Sequence, residues 1–436
     1  MKNLLLWNLQ KNKLFTLINL SSYFVLLFIY RVGSLRVENG NNPGLRDFGC
    51  YVSPGRNLIN GNNPYLDSLC STRYGVLGLM PFGIFDLIIP RQYSVFVIQL
   101  LSLIGAQYFV FVISKEFNAK LFKPMAFITL WISAMRENLV VAQATGLFIG
   151  LSAYVIKKFI FELNSQKNLQ TYLINGLILA FLLDIKPHLF GFLVILILSY
   201  SLKNKNRRLL LLLSTLIIWI SSHIVIDLYV GRILEIDWLS RLFGLVDISN
   251  TSGLPESIAI WPLLSRLTVP NKINSLISYT IIIFILIFMV KKIIQNNNGA
   301  SLYFAFLAPA FYVYYHHYDM IAIIILTFVV KTRVPSSFTI AILEYSIIPV
   351  EFLNLINNIL LFIIIISLYF IDFKNKEYFK IKSVIFGTCI YFIVHFANSF
   401  LSKFSSEQTL FMTEFILVFL FFSFRLSNTK ENAIRN

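Results

Sequence analysis

The chain has 436 residues, of which 57% are hydrophobic and 13% charged, where a soluble domain carries about a quarter charged residues. That surplus of apolar surface is too large for a soluble core of this size to hide, so lipid must be the solvent for most of it. The formal net charge is +16, but the basic residues sit in short clusters between apolar stretches and form no basic face on a polar domain. This argues against nucleic acid as a partner and brings in the positive-inside rule instead.

In chain order, Met1 to Lys13 is basic and precedes the apolar run 14–30. That run is too long for a signal-peptide core, and Arg31-Val32-Gly33 offers no small-x-small cleavage site, so an uncleaved first span is expected. Further apolar runs follow at 92–114, 121–135, 139–156, 172–185, 189–202, 209–230, 273–290, 300–315, 318–330, 336–350, 355–370, 384–400 and 410–424. Against the ~20 residues needed to cross a bilayer they give about twelve to fourteen spans, several short enough to be tilted or re-entrant. The expected fold is all-α: a polytopic transmembrane helical bundle forming a single membrane domain over 1–436.

Lys2, Lys11 and Lys13 place the N-terminus in the cytoplasm. On strict alternation the basic clusters that begin at Lys115, Lys157, Lys203, Lys291, Lys331, Lys374 and Arg425 fall on that same side. Two long polar segments, 31–91 and 231–272, remain for the opposite, periplasmic face. Neither is large enough for its own core, so both are expected to lie on the membrane domain as lids or short interfacial helices. In the first, Ser53-Pro54 reads as an N-cap followed by proline at the first helical position, Gly61 as the stop, and Asn62-Asn63-Pro64 as a turn. The abundance of Lys, Asn, Ile and Phe fits an AT-rich bacterial genome, and hence a bacterial inner membrane.

The unusual polar residues gather on the outer side. They are Asp47 with Arg46, the turn holding Arg136, Glu137, Asn138 and Gln143, the Lys186-Pro187-His188 turn, Asn250 and Arg266 in the second loop, and His316, His317 and Asp319 between two apolar runs. Ionisable groups at membrane depth are costly and usually line a cavity or a functional site. No Asp-x-Asp motif occurs; Glu235-x-Asp237 comes nearest and reads as a solvated loop pair. No His or Cys spacing suits zinc, so no catalytic metal is expected. His223 and His395 lie inside apolar runs and read as packed residues. Cys50 and Cys70 share the first outer loop, where an oxidising compartment would allow a disulfide, although spacing alone does not bring them within bonding distance.

The stretch Asp47-Phe48-Gly49-Cys50-Tyr51 through Gly55-Arg56 to Asn60-Gly61-Asn62-Asn63-Pro64-Tyr65 resembles the first periplasmic loop of family 87 glycosyltransferases. These are polyprenyl-phosphate-mannose-dependent mannosyltransferases of the GT-C fold. Four further segments resemble the family in order: Asn138-Leu139 with Ala142-Gln143, Lys186-Pro187, Asn250-Thr251-Ser252 through Arg266, and His316-His317-Tyr318-Asp319. The likeness covers about three-quarters of the chain, and 336–436 carries no recognised motif. It departs from the family where Gly-Gln reads Ala142-Gln143, where Tyr-Pro-Pro reads Tyr74-Gly75-Val76, and where Lys-Pro-Gln reads Lys186-Pro187-His188.

The resemblance implies an inverting hexosyltransferase, with mannose the expected sugar. It would move the sugar from a polyprenyl-phosphate donor to an acceptor hydroxyl of a glycan or glycolipid. The donor is a substrate, and no cofactor is implied. A sugar leaving from polyprenyl phosphate departs as a phosphate monoester, so the reaction needs a base for the acceptor and cations for the growing phosphate charge. Asp47 is the expected base, with His316 or His317 touching phosphate or assisting proton transfer. Lys186, Arg266 and Arg56 are expected at the donor phosphate. Gln143, Asn138, His188, Asn250, Tyr51 and Asp319 are expected around sugar and acceptor. A secondary transporter, or a flippase or polymerase of lipid-linked envelope glycans, is the alternative. A transporter's site would lie at the bilayer midplane between related halves, whereas no internal repeat is visible here.

Overall fold

The structure is a computed structural model that describes residues 24, 46–66, 74–117, 135, 138–139, 142–162, 168–201, 205–247, 271–311, 319 and 321–329. Among these, every regular element is helical. The expected first span 14–30, the spans 121–135 and 336–424, the histidines His316, His317 and His395, and Asn250, Arg266, Cys70 and Cys389 lie outside the described residues, Met135 excepted. The chain divides into two compact units, Met1–Glu116 with Glu137–Thr251, and Phe117–Arg136 with Ser252–Asn436.

The first unit opens with helix α1 (Arg46–Ile59), a 3-10 turn (Pro64–Leu66), α2 (Val76–Ile88) and α3 (Arg91–Phe117). Helix α1 corrects the sequence reading, because it is already helical at Arg46 and runs straight through Ser53-Pro54. Pro54 removes one backbone donor, but α1 is held by its partner. Gly55 and Gly83 meet where α1 crosses α2, and a Cβ built on Gly55 would stand 2.7 Å from the Gly83 nitrogen. Tertiary contact thus outweighs the local start signal. The stop at Gly61 holds: its φ is 73°, its N–H donates to Leu58 O at 3.1 Å, and Asn62 N–H donates to Asn57 O at 2.8 Å. That is the double bond of a Schellman cap, which glycine enters without a Cβ penalty. Helix α2 is also a departure, since an apolar helix with Gly78, Leu79 and Phe82 buried stands inside the segment read as a polar loop.

Next come α4 (Thr145–Ile156), a π-turn (Lys157–Phe161), α5 (Leu169–Ile185), α6 (Pro187–Ser201), α7 (Lys205–Val230) and α8 (Leu234–Asp247). The run 139–156 is not helical throughout; α4 begins only at Thr145. Gly105 of α3 and Gly146 and Gly150 of α4 bring those two helices to backbone contact. Lys186 ends α5, and Pro187 starts α6 with no intervening loop, as proline's preset φ allows at a first helical position. Helix α5 packs on α2, α4 and α7. The second unit holds α9 (Asn271–Ile294), α10 (Asn298–Leu307), a 3-10 turn (Ala308–Phe311) and α11 (Ile321–Val329). The run 300–315 therefore breaks at residue 308, one residue before Pro309.

Among the described residues, three helices are long and apolar enough to cross a membrane: Tyr93–Phe117, Arg207–Val230 and Lys272–Ile294. In the last two, only 22% and 28% of the apolar window is buried within the protein, so most of their surface needs another apolar environment. A bilayer supplies it.

Candidate functional site

Two polar clusters adjoin in the first unit, one through Lys186 and the other through Asp184. The first is built by α1, the segment before α4, and the turn between α5 and α6. Tyr51 is fully buried on α1 and lies between Tyr74 and Phe82, with ring centroids at 4.6 and 4.7 Å. Its hydroxyl donates to Gln143 Oε1. Gln143 is itself buried and is fixed through its backbone, since its N–H donates to Asn138 O at 2.8 Å and Ser102 Oγ donates to its carbonyl at 3.0 Å. Gln99 Nε2 donates to Leu139 O at 2.7 Å. Leu139 and Gln143 are thereby pinned to α3 through their carbonyls. Two residues past Gln143, Thr145 Oγ1 accepts from Lys186 Nζ at 2.9 Å, and Lys186 is 3% exposed.

Asn138 is fully buried, yet neither end of its amide has a hydrogen-bond partner among the described residues. An unpaired buried amide costs about 1–3 kcal/mol and so calls for an explanation such as a missing ligand or water. Ala142, where the resembled family carries glycine, has φ 52°. This left-handed conformation costs a non-glycine residue roughly 1–2 kcal/mol. Ala142→Gly should therefore be neutral or stabilising by up to about 1 kcal/mol after the extra unfolded-state entropy of glycine. Thermal unfolding in detergent checks this; a clear loss of stability would mean that the turn is not strained.

The sequence-predicted residues divide as follows. Tyr51, Asn138, Gln143 and Lys186 come together in this cluster. Asp47 lies on α1 one helical turn before Tyr51. His188 is half-buried in the first turn of α6. Arg56 is half-exposed, and its Nε stands 2.5 Å from Asp86 Oδ2. This is an ion-pair contact without hydrogen-bond alignment, because both Asp86 oxygens lack a hydrogen-bonding donor among the described residues. Asp319 belongs to the second unit and is fully buried there. Asn250, Arg266, His316 and His317 lie outside the described residues, as noted above.

The second cluster was not anticipated. Asp184, in the last turn of α5, is fully buried. Its carboxylate accepts from Gly78 N–H at 3.1 Å and Trp219 Nε1 at 2.7 Å, and it contacts His223 Nε2 at 2.9 Å. Its backbone carbonyl accepts from Gly75 N–H at 2.8 Å. A Cβ on Gly75 would come within 2.3 Å of the carboxylate carbon, so only glycine fits between Tyr74 and Val76. This gives a physical reason for the departure Tyr74-Gly75-Val76. The other ring nitrogen of His223 meets Glu235 on α8. His223 is thus packed, as expected, but both of its nitrogens are engaged by carboxylates. Glu235 and Asp237 are not a solvated pair either: Asp237 accepts from Asn63 Nδ2 at 2.7 Å and from Arg232.

Burial, reinforced by Asp184, Glu235, Asp237 and Asp227, raises the Tyr65 phenol well above its usual value. It stays a neutral donor to Tyr74 O at 3.0 Å. Asp184 carried a readable signal, an acid inside an apolar run. The pairing of His223 with Glu235 had none, because it depends on how α7 and α8 fold back on each other. No group of His, Cys, Asp and Glu able to hold a metal occurs among the described residues. No family model matches this chain, and no curated protein or solved structure matches it.

Proposed function

We propose that this chain is a membrane glycosyltransferase of GT-C type that uses a polyprenyl-phosphate sugar, with mannose as the expected hexose. The observation that carries the reading is that one short segment links three stretches of chain: Gln143 takes the Tyr51 hydroxyl, its N–H donates to the Asn138 carbonyl, and Thr145, two residues on, takes Lys186 Nζ. A buried lysine, a tyrosine and two amides make a set suited to a phosphate and to sugar hydroxyls. The unpaired Asn138 amide supports a polar ligand there.

In this reaction Asp47 takes the proton of the acceptor hydroxyl as its oxygen attacks the anomeric carbon. The bond from that carbon to the phosphate oxygen breaks, and polyprenyl phosphate leaves from the opposite face with inversion. Lys186, joined by Arg56, balances the charge gathering on the leaving phosphate. Gln143, Asn138, His188, Asn250 and Tyr51 hold sugar and acceptor, the latter a glycan or glycolipid. The proposed setting is the inner membrane with the site on the periplasmic side. That Cys50 is disulfide-bonded supports an oxidising compartment for the first loop.

The test is transfer of radiolabelled mannose from polyprenyl phosphate in membranes holding the full chain. Asp47→Asn should lower the rate by about 10²–10⁴-fold, the usual worth of a general base. Lys186→Gln should raise the donor KM. Transfer unchanged in Asp47→Asn would overturn the mechanism.

A further inference from the structure

We infer that Asp184 is a positioning residue for Lys186, acting through the fold rather than by touching substrate. The inference rests on the proposed role of Lys186 at the donor phosphate. Lys186 caps the C-terminal end of α5, directly after Ile185, and a helix end is held only by what its terminal groups bind. Here it is tied on two sides. Toward α4, Lys186 Nζ reaches Thr145 at the helix start. Toward α2, the tie is Asp184: its carbonyl takes the Gly75 N–H and its carboxylate the Gly78 N–H, both at the opening turn of α2. One residue, Ile185, separates the tie from the lysine, so loosening one shifts the other.

A buried carboxylate so close to a phosphate site needs its charge answered, or it would repel the donor. Trp219 and His223 of α7 do this with contacts of 2.7 and 2.9 Å. The groups facing His223 are Asp184 from α5, Glu235 from α8, and the rings of Trp219 and Trp238 at 4.3 and 6.0 Å. Glu235 stands in the first turn of α8. Asp184 therefore fastens the Lys186 turn to α2 on one side and, through His223, to α8 on the other. Gly75 is what lets the carboxylate approach so closely.

The experiment measures binding of citronellyl phosphate, a short polyprenyl monophosphate, to the full chain in detergent. Lys186→Gln should weaken binding at least tenfold. Asp184→Asn should weaken it three- to tenfold, and the double variant should be no weaker than Lys186→Gln alone, since Asp184 acts through the lysine. Trp219→Phe, which removes one donor and keeps the ring, should weaken binding two- to threefold and covers the case where Asp184→Asn does not fold. Additive losses in the double variant, or full affinity in both Asp184→Asn and Trp219→Phe, would overturn the inference and leave the role of Lys186 standing. Full affinity in Lys186→Gln would overturn the role of Lys186 and the inference with it.

Discussion

His223→Leu should be among the most destabilising single substitutions outside the helix crossings, at about 3–5 kcal/mol. The side chain is 5% exposed and lies between the fully buried Asp184 carboxylate and Glu235. Leucine fills similar space but leaves two carboxylates facing each other with their cation gone. The measurement is the thermal unfolding midpoint in detergent; a midpoint within a degree of wild type would show that the cluster contributes nothing. Acid should act through the same contacts. Burial alone would raise the Glu235 carboxyl, but its hydrogen bonds to Asp227 and His223 and the charge on His223 outweigh burial and hold it below the usual glutamate range. A group whose folded pKa is lowered contributes stability that is complete above its unfolded value, about 4.3, and is lost as pH falls through the folded value. Amide protection in α8, taken relative to the intrinsic exchange rate at each pH, should therefore fall on acidification below about pH 4.3, and this dependence should shrink in His223→Leu.

Gly83→Val should be more damaging still. Even a single Cβ there would lie 2.3 Å from Gly55 O and 2.8 Å from the Ile59 side chain. Backbone cannot yield as a flexible side chain does, so α1 and α2 must part. Tyr51 would then lose Phe82 from its stack, and the Gln143 contact would lose its anchor. Loss of the monodisperse folded species in detergent is the expected result. Gly191→Ala is the matched control: nothing lies within 4 Å of its Cβ, so a neutral effect or a gain of up to about 1 kcal/mol is expected from helix propensity. Equal behaviour of the two variants would mean that the close crossing does not hold α1 in place.

What could be read in the sequence was what depends on local pattern. The apolar runs 92–114, 172–185, 189–202, 209–230 and 273–290 fall on α3, α5, α6, α7 and α9 within a few residues of their ends. Each is a continuous hydrophobic stretch, and its length alone identifies it. Gly61 was legible as a helix stop because a Schellman cap needs a left-handed residue at one position. The start of α1 was not legible. Ser53-Pro54 is a valid local start signal, but the close crossing at Gly55 and Gly83 and the burial of Phe48, Tyr51 and Val52 hold the helix on both sides of it.

The site shows the same division. Lys186, Gln143, Asn138 and Tyr51 could be nominated singly, because amides and charges are costly beside apolar sequence and stand out there. Composition and hydropathy by themselves settled that the chain is helical and apolar enough for lipid, since those properties belong to each segment separately. Only the tertiary structure decided that Tyr51 meets Gln143 across 92 residues and that Asp184 shares His223 with Glu235. The reason is that a hydrogen bond between distant residues depends on which helices cross and at what depth. Those crossings are fixed by glycine contacts and buried polar pairing, neither of which leaves a periodic mark along the chain.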